Sequence, residues 1–260
     1  FAKMIKESCH NDNIDLSHCE VIPGKQTAST WIVVDAEGER SIVLFPNVLT
    51  EVNESFIKSA SSYIKSCRLL HVEGSEMHLK PFINAAKIAK SAGVLISFDL
   101  DIPASDFVDK LNLATMDELE EMITLCDLFI PCIGGAKDLT SKENPLEMVV
   151  SLQKKYGVAN IALSHGAEGC FISTEKDAFQ SPAYVIDPVD GTGSGDAFHA
   201  GMIYGYMRGW DMQETSAFAN ACGAMNTMKL GARSGMCTEA EVRMFMAENK
   251  RRAIKIINNC

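Results

Sequence analysis

Residues 190–201 read Asp-Gly-Thr-Gly-Ser-Gly-Asp-Ala-Phe-His-Ala-Gly and run directly into the helix-like stretch Ala197 to Arg208. Gly191, Gly193 and Gly195 put bare backbone beside a helix start, where N–H groups without a helical acceptor and the positive end of the helix dipole meet. That combination makes an anion site, and glycine lets a phosphate approach the main chain without a Cβ in the way. A carboxylate at the same spot repels a simply bound phosphate. Asp196 makes chemical sense there as a base, taking a proton from a hydroxyl while backbone donors hold the phosphoryl group that the hydroxyl attacks. The plainer reading is an acidic residue in the first helical turn, stabilised by the dipole. A Walker loop is excluded, because Gly24-Lys25 is followed by Gln26 and lacks the earlier glycine.

Outward from this loop, strand and helix patterns alternate, as in a parallel sheet covered on both faces. Thr27 to Val34 and Arg40 to Phe45 alternate in strand fashion across the turn-like residues 35–39 and predict a hairpin. Glu51 to Lys65 predicts a helix with Thr50 as N-cap, and Arg68 to Val72 a buried strand. His78 to Ala92 predicts a helix ended by Gly93, followed by a strand over Val94 to Phe98. Thr115 with Glu118 and Thr238 with Glu241 are capping-box pairs, and Asn144-Pro145 marks another helix start. Short apolar strands are expected at Leu128–Pro131, Asn160–Ser164, Gly169–Ser173 and Ala183–Ile186. Ligands in such folds lie beyond the carboxyl ends of the strands, where Asp99, Cys132, Ser164 and the Gly191 loop all fall.

Composition narrows the function classes. The 260 residues carry a net charge of −10, with 47% hydrophobic and 22% charged residues. Bulk electrostatics therefore disfavours nucleic acid and anionic membrane as partners, and a phosphate site has to be local. Nine cysteines with no Cys-x-x-Cys pair argue against a disulfide framework and a zinc site. No apolar run of about 18 residues and no basic-then-apolar leader appear, so a cytoplasmic enzyme is expected. The six histidines show no metal-ligand spacing. His199, three residues after Asp196, is a candidate for orienting substrate or for plain packing, and His165 lies in a turn next to Ser164. The thirteen methionines read as adaptable core filler.

The stretch Asp190 to Gly201 resembles the C-terminal signature of the ribokinase-like, or PfkB-type, carbohydrate kinases. The resemblance implies an α/β, three-layer parallel-sheet sandwich, ribokinase-like and Rossmann-like, with a small β lid. It assigns Asp196 as catalytic base and the amides of Gly193, Ser194 and Gly195 as the anion hole, with Asp190, Gly191 and Thr192 on the substrate side. Residues 161–169, Ile-Ala-Leu-Ser-His-Gly-Ala-Glu-Gly, are similar to the family's nucleotide-side strand and turn, which places Ser164, Gly166 and Gly169 at the nucleotide. Ala219 to Ala224, followed by Lys229-Leu230-Gly231-Ala232, is similar to the helix and loop that flank the adenine and a monovalent-cation site. Asn220 and Gly223 follow as nucleotide contacts, with ATP, Mg2+ and a monovalent cation such as K+ as cofactors.

Two departures from the family pattern stand out. Cys132-Ile-Gly-Gly135 replaces the usual Asn-x-x-Glu, and Asp99-Leu-Asp101-Ile-Pro103 replaces Asp-x-Asn-x-Arg. Asp99 and Asp101 are therefore weak metal candidates, with polar closure of a buried strand as their other reading. The chain begins at Phe1 inside the family's first long helix, so a longer gene product is expected. Residues 1–260 read as a single domain in which 27–46 form part of the lid, a segment that in the family often pairs with a second subunit to make a homodimer. The implied activity is ATP-dependent phosphorylation of a sugar-like alcohol. A nucleoside kinase of the same fold and a binding pseudoenzyme, motivated by Cys132 and Gly135, are the alternatives.

Overall fold

The computed structural model describes residues 1–35 and 40–254. Helix α1 (Ala2–Asn11) leads to β1 (Ser29–Val34) and β2 (Arg40–Phe45), an antiparallel pair with Ser29 opposite Phe45. The expected hairpin is therefore present, while residues 36–39 of its turn lie outside the described residues. Both strands stay open to solvent, with Trp31 and Val33 each 70% exposed.

The helix expected over Glu51 to Lys65 is two helices, α2 (Glu54–Ser59) and α3 (Ser61–Ser66), and Thr50 falls in a preceding 3-10 turn. The cap is Asn53, whose Oδ1 accepts from the amides of Ser55 (3.0 Å) and Phe56 (3.1 Å). The break at Ala60 sits in a serine-rich run. There the Ser59 hydroxyl donates to the Phe56 carbonyl (2.7 Å), so a side chain competes for the helical acceptors.

Next come β3 (Leu69–Glu73), α4 (Leu79–Ser91), β4 (Leu95–Leu100), α5 (Met116–Leu125), β5 (Leu128–Pro131), α6 (Ile133–Thr140), α7 (Pro145–Tyr156) and β6 (Asn160–Ser164). Both capping boxes form as the sequence predicts, and Asn144 caps α7 with Pro145 in its first turn. Strand β4 runs two residues beyond the expected end, so Asp99 lies inside the sheet, in register with Glu73 and Ile130.

Strands β3 to β6 are parallel and adjacent in chain order. Then β7 (Cys170–Thr174) and β8 (Ala178–Ser181) continue the sheet antiparallel, because short reversals replace the crossover that a parallel neighbour needs. The strand expected at Ala183–Ile186 is absent. Pro182 and Pro188 bracket that segment and cannot donate to a ladder, and it makes only an isolated bridge, Tyr184 to Arg251.

Helices α8 (Ser194–Arg208), α9 (Met212–Thr227) and α10 (Glu239–Glu248) complete the chain. The sheet is apolar on both faces, as a buried sheet requires. Phe98, Phe129, Ile161 and Leu163 pack with α4, α5 and α7, while Leu128, Ile130 and Ala162 pack with Phe198 and Met202 of α8 and Ala219 of α9. The result is a helix–sheet–helix sandwich. Helices α8 and α9 approach closely at Gly201, where a Cβ would stand 2.7 Å from the Ala219 Cα.

Phe129 is fully buried and stacks on Phe98 with ring centroids 5.7 Å apart. Phe129→Ala should lower the unfolding free energy by about 3–5 kcal/mol, measured by urea denaturation. A loss below about 1 kcal/mol would mean that this layer is not the core that holds the sheet.

Candidate active site

Gly193 sets the start of α8. Its backbone is left-handed (φ 72°), and a side chain there would drive its Cβ into the Ala232 carbonyl. The loop behind it is braced by Asp190, which is buried. Asp190 Oδ1 accepts from the Thr192 amide (2.9 Å) and Oδ2 from the Gly231 amide (2.8 Å). Asn226, near the end of α9 and fully buried, donates from Nδ2 to the carbonyls of Thr192 (3.0 Å) and Ala232 (2.9 Å), and its Oδ1 accepts from the Gly235 amide (3.2 Å).

The helix start so fixed opens on a cleft of about 360 Å³. Its walls bring together Ser164, Gly166 and Gly169 after β6, Gly191, Ser194 and Gly195 at the loop and α8, and Asn220 and Gly223 on α9. The first-turn amides have no acceptor within the helix by position. The Ser194 amide is drawn to the Gly191 carbonyl at 3.3 Å, and the Cα of Gly195 faces open space. Asp190 and Thr192, expected at the substrate, are both buried behind the loop, and only Gly191 of that trio reaches the cleft. Asn220 lines the cleft while its Nδ2 donates to the Ser181 carbonyl (2.8 Å), so its side-chain amide holds the floor.

A wider cleft of about 500 Å³ opens at the opposite, amino end of β6, beside Lys176 and Trp210. It contains none of the glycine-loop residues. The helix start there is already capped, Asp211 Oδ1 accepting from the Glu214 amide at 2.8 Å. The glycine loop and the residues named with it from the sequence line the cleft at the carboxyl edge instead.

Asp196 is exposed in the first turn of α8, and its charge acts on Asp101 and His199. His199 is buried, and its Nδ1 meets Asp99 Oδ2 at 2.7 Å. Burial pushes the imidazole pKa down, but the hydrogen bond to Asp99 and the charges of Asp99, Asp101 and Asp196 outweigh it, so the net direction is up. Each residue carries a signal in the sequence but their pairing does not, because strand β4 and helix α8 meet only in the fold. The Asp99 oxygen opposite His199 is buried without a partner, and no group of three metal-ligating side chains forms among the described residues. Asp99 is thus committed to His199, and Asp101 remains the accessible carboxylate of the two.

Asp101 reaches solvent on one side while protein crowds it on the others. Burial, and then the charge of Asp99, lift its pKa to about 6. Glu73 is lifted to about 7 by burial, with Glu76, Asp99 and Asp101 adding to the shift and a Ser75 hydrogen bond opposing it. Cys132 stands where the family pattern has asparagine. Its Sγ caps α6 by accepting from the Gly135 amide (3.3 Å), so the helix start survives the change of residue.

The sequence profile of the pfkB family carbohydrate kinases matches residues 1–239. An ATP-dependent ribose-1-phosphate kinase of Halopiger xanaduensis is 25% identical, the match covering 94% of this chain and 76% of that protein. A ribokinase of Haemophilus influenzae is also 25% identical, over 94% of this chain and 77% of its own. The chain spans about three quarters of the length of these relatives. An Escherichia coli structure assigned as ribokinase II, with ATP and Mg2+, superposes with TM-score 0.78 at 24% identity, covering 95% of this chain and 79% of that one. A Burkholderia thailandensis nucleoside kinase with inosine gives 0.76 at 21% identity, over 95% and 76%. A fructokinase double mutant of Vibrio cholerae with fructose, ADP and potassium gives 0.77 at 20% identity, over 95% and 81%. Among the described residues, no helix is long and apolar enough to cross a membrane.

A carboxylate whose pKa is raised by folding favours the native state fully below its unfolded value and loses that contribution as pH rises through the folded one. Glu73 and Asp101 act in this sense, and His199, raised as well, has the same sign. Stability should therefore fall as pH rises from about 4.5 through about 7, by on the order of 3 kcal/mol from Glu73. Glu73→Gln should flatten the slope in urea titrations across that range. An unchanged slope would mean that Glu73 ionises as freely in the folded state as in the unfolded one.

Proposed function

The chain belongs to the pfkB family of carbohydrate kinases, and from that footing we propose that it transfers the γ-phosphoryl group of ATP to a hydroxyl of a sugar or sugar-like substrate. The observation that carries the reading is the helix start itself. The Ser194 and Gly195 backbones open on the cleft, and the Asp196 carboxylate sits one residue further along the same turn. Asp196 accepts the hydroxyl proton, the hydroxyl oxygen forms its bond to the γ-phosphorus in line, and the bond from that phosphorus to ADP breaks. The amides of Gly193, Ser194 and Gly195 stabilise the charge that spreads over the transferring group. Ser164, Gly166, Gly169, Asn220 and Gly223 line the nucleoside end. Gly191 meets the reactants, and Asp190 and Thr192 act from behind by holding the loop.

Magnesium bound with the triphosphate would neutralise part of its charge. Asp101, the accessible carboxylate of the Asp99–Asp101 stretch, is the residue of this chain that would help to hold it. The neighbours include sugar and nucleoside kinases, so the acceptor is a sugar or the ribose of a nucleoside. The exposed apolar hairpin β1–β2 suits a lid over that acceptor and a pairing surface for a second copy.

The test is turnover of ATP with magnesium over a panel of ketoses, aldoses, sugar acids and nucleosides. Asp196→Asn keeps the side-chain shape but accepts no proton, and should lose about 10²–10⁴-fold in kcat with nucleotide affinity retained. Equal turnover by the variant would remove Asp196 as the base. No turnover on any acceptor with ATP still bound would favour the pseudoenzyme.

A further inference from the structure

The family resemblance implies a monovalent cation beside residues 229–232, and the Vibrio cholerae fructokinase neighbour was solved with potassium. The residues of this chain do not fit one. A potassium-sized cation is held by carbonyl oxygens that converge on it in place of its water. At the junction of the 190–195 loop with the 229–235 loop, the carbonyls of Thr192 and Ala232 do converge, but on the nitrogen of Asn226, at 3.0 and 2.9 Å.

The orientation of this amide is fixed by its other end, since Oδ1 accepts from the Gly235 amide at 3.2 Å. Flipping it would point an oxygen at two carbonyls and an NH2 at an N–H, losing all three bonds. Two further donors of the junction are matched as well. Asp190 accepts from the Thr192 and Gly231 amides at 2.9 and 2.8 Å. Of the junction's side-chain oxygens, only the Thr192 hydroxyl is buried without a partner, and one neutral oxygen makes no cation site. A cation entering between the loops would have to evict a fully buried amide and leave it unpaired.

We infer that Asn226 takes the place of the monovalent cation, so that the loop carrying Gly193 to Asp196 is held in its working shape without potassium or sodium. The donor comes from the chain itself. It spans the same two loops, and its position is fixed by α9 rather than by the ionic composition of the medium. The consequence for turnover rests on the proposed role of this loop. The consequence for loop order does not.

The test compares potassium with tetramethylammonium, which is too large for such a junction, at equal ionic strength. Thermal unfolding of the ligand-free protein and calorimetric affinity for ADP with magnesium are both read. The wild-type protein should give the same Tm and the same Kd in the two salts. Asn226→Asp keeps the size, removes the donor and sets a carboxylate against the two carbonyls. It should gain a potassium-specific rise in Tm of about 3 °C and bind ADP about tenfold more weakly without potassium than with it. A potassium-specific rise in Tm or in ADP affinity for the wild type would overturn the inference, as would an Asn226→Asp protein indifferent to potassium. If the variant does not fold, the wild-type comparison still decides. If the wild type binds no ADP, the phosphotransfer reading fails, while the unfolding comparison still decides the role of Asn226.

Discussion

Everything at the carboxyl edge depends on one contact, the left-handed backbone of Gly193 pressed against the carbonyl of Ala232. Only glycine fits there, and fitting there fixes the direction in which α8 sets out. Ser194 and Gly195 of the first turn then line the cleft, and α8 lies against α9 with Gly201 over Ala219. The contact is secured on both sides by buried polar groups. Asp190 ties the loop to Gly231, and Asn226 ties it to Ala232. A buried carboxylate and a buried amide are costly unless satisfied, so each is both a constraint on the fold and a brace for the site.

The charge distribution follows from the same layout. With a net charge of −10, the chain lines this cleft with the backbone of a helix start rather than with a cluster of cationic side chains, and the proposed phosphate site rests on that backbone. The acidic groups gather instead at the ends of β3 and β4, where Glu73, Asp99 and Asp101 crowd one another and His199 hydrogen-bonds Asp99. Asp196 lies between the two regions. On the proposed reading it acts as the base at the start of a helix whose first-turn N–H groups suit an anion.

The glycine turn and the helix start after it were legible in the sequence, because glycine spacing and a helix start are local features. So were both capping boxes and the Asn144-Pro145 start, each set by residues within one turn. The illegible parts are those that need the fold. Serine back-bonding split the helix of residues 51–65, and the prolines around 183–186 overrode an apolar run that reads as a strand. Asp190 reads as a ligand contact because it opens the glycine loop, yet its carboxylate turns inward to amides, one of them 41 residues away. The Asp99–His199 pair joins residues a hundred positions apart. Asn226 did leave a signal, a second asparagine six residues after Asn220 in a helix of small apolar residues. Nothing in the sequence, however, says which carbonyls it meets.

The most direct test of the account is a crystal structure of the protein with magnesium and a non-hydrolysable ATP analogue. The account predicts the γ-phosphate about 3 Å from the amides of the Gly193–Gly195 turn, with the Asp196 carboxylate facing the side away from the β-phosphate. It also predicts the base between Gly166, Asn220 and Gly223. A triphosphate that leaves those amides unmet, or a nucleotide lodged instead in the cleft beside Lys176 and Trp210, would contradict it.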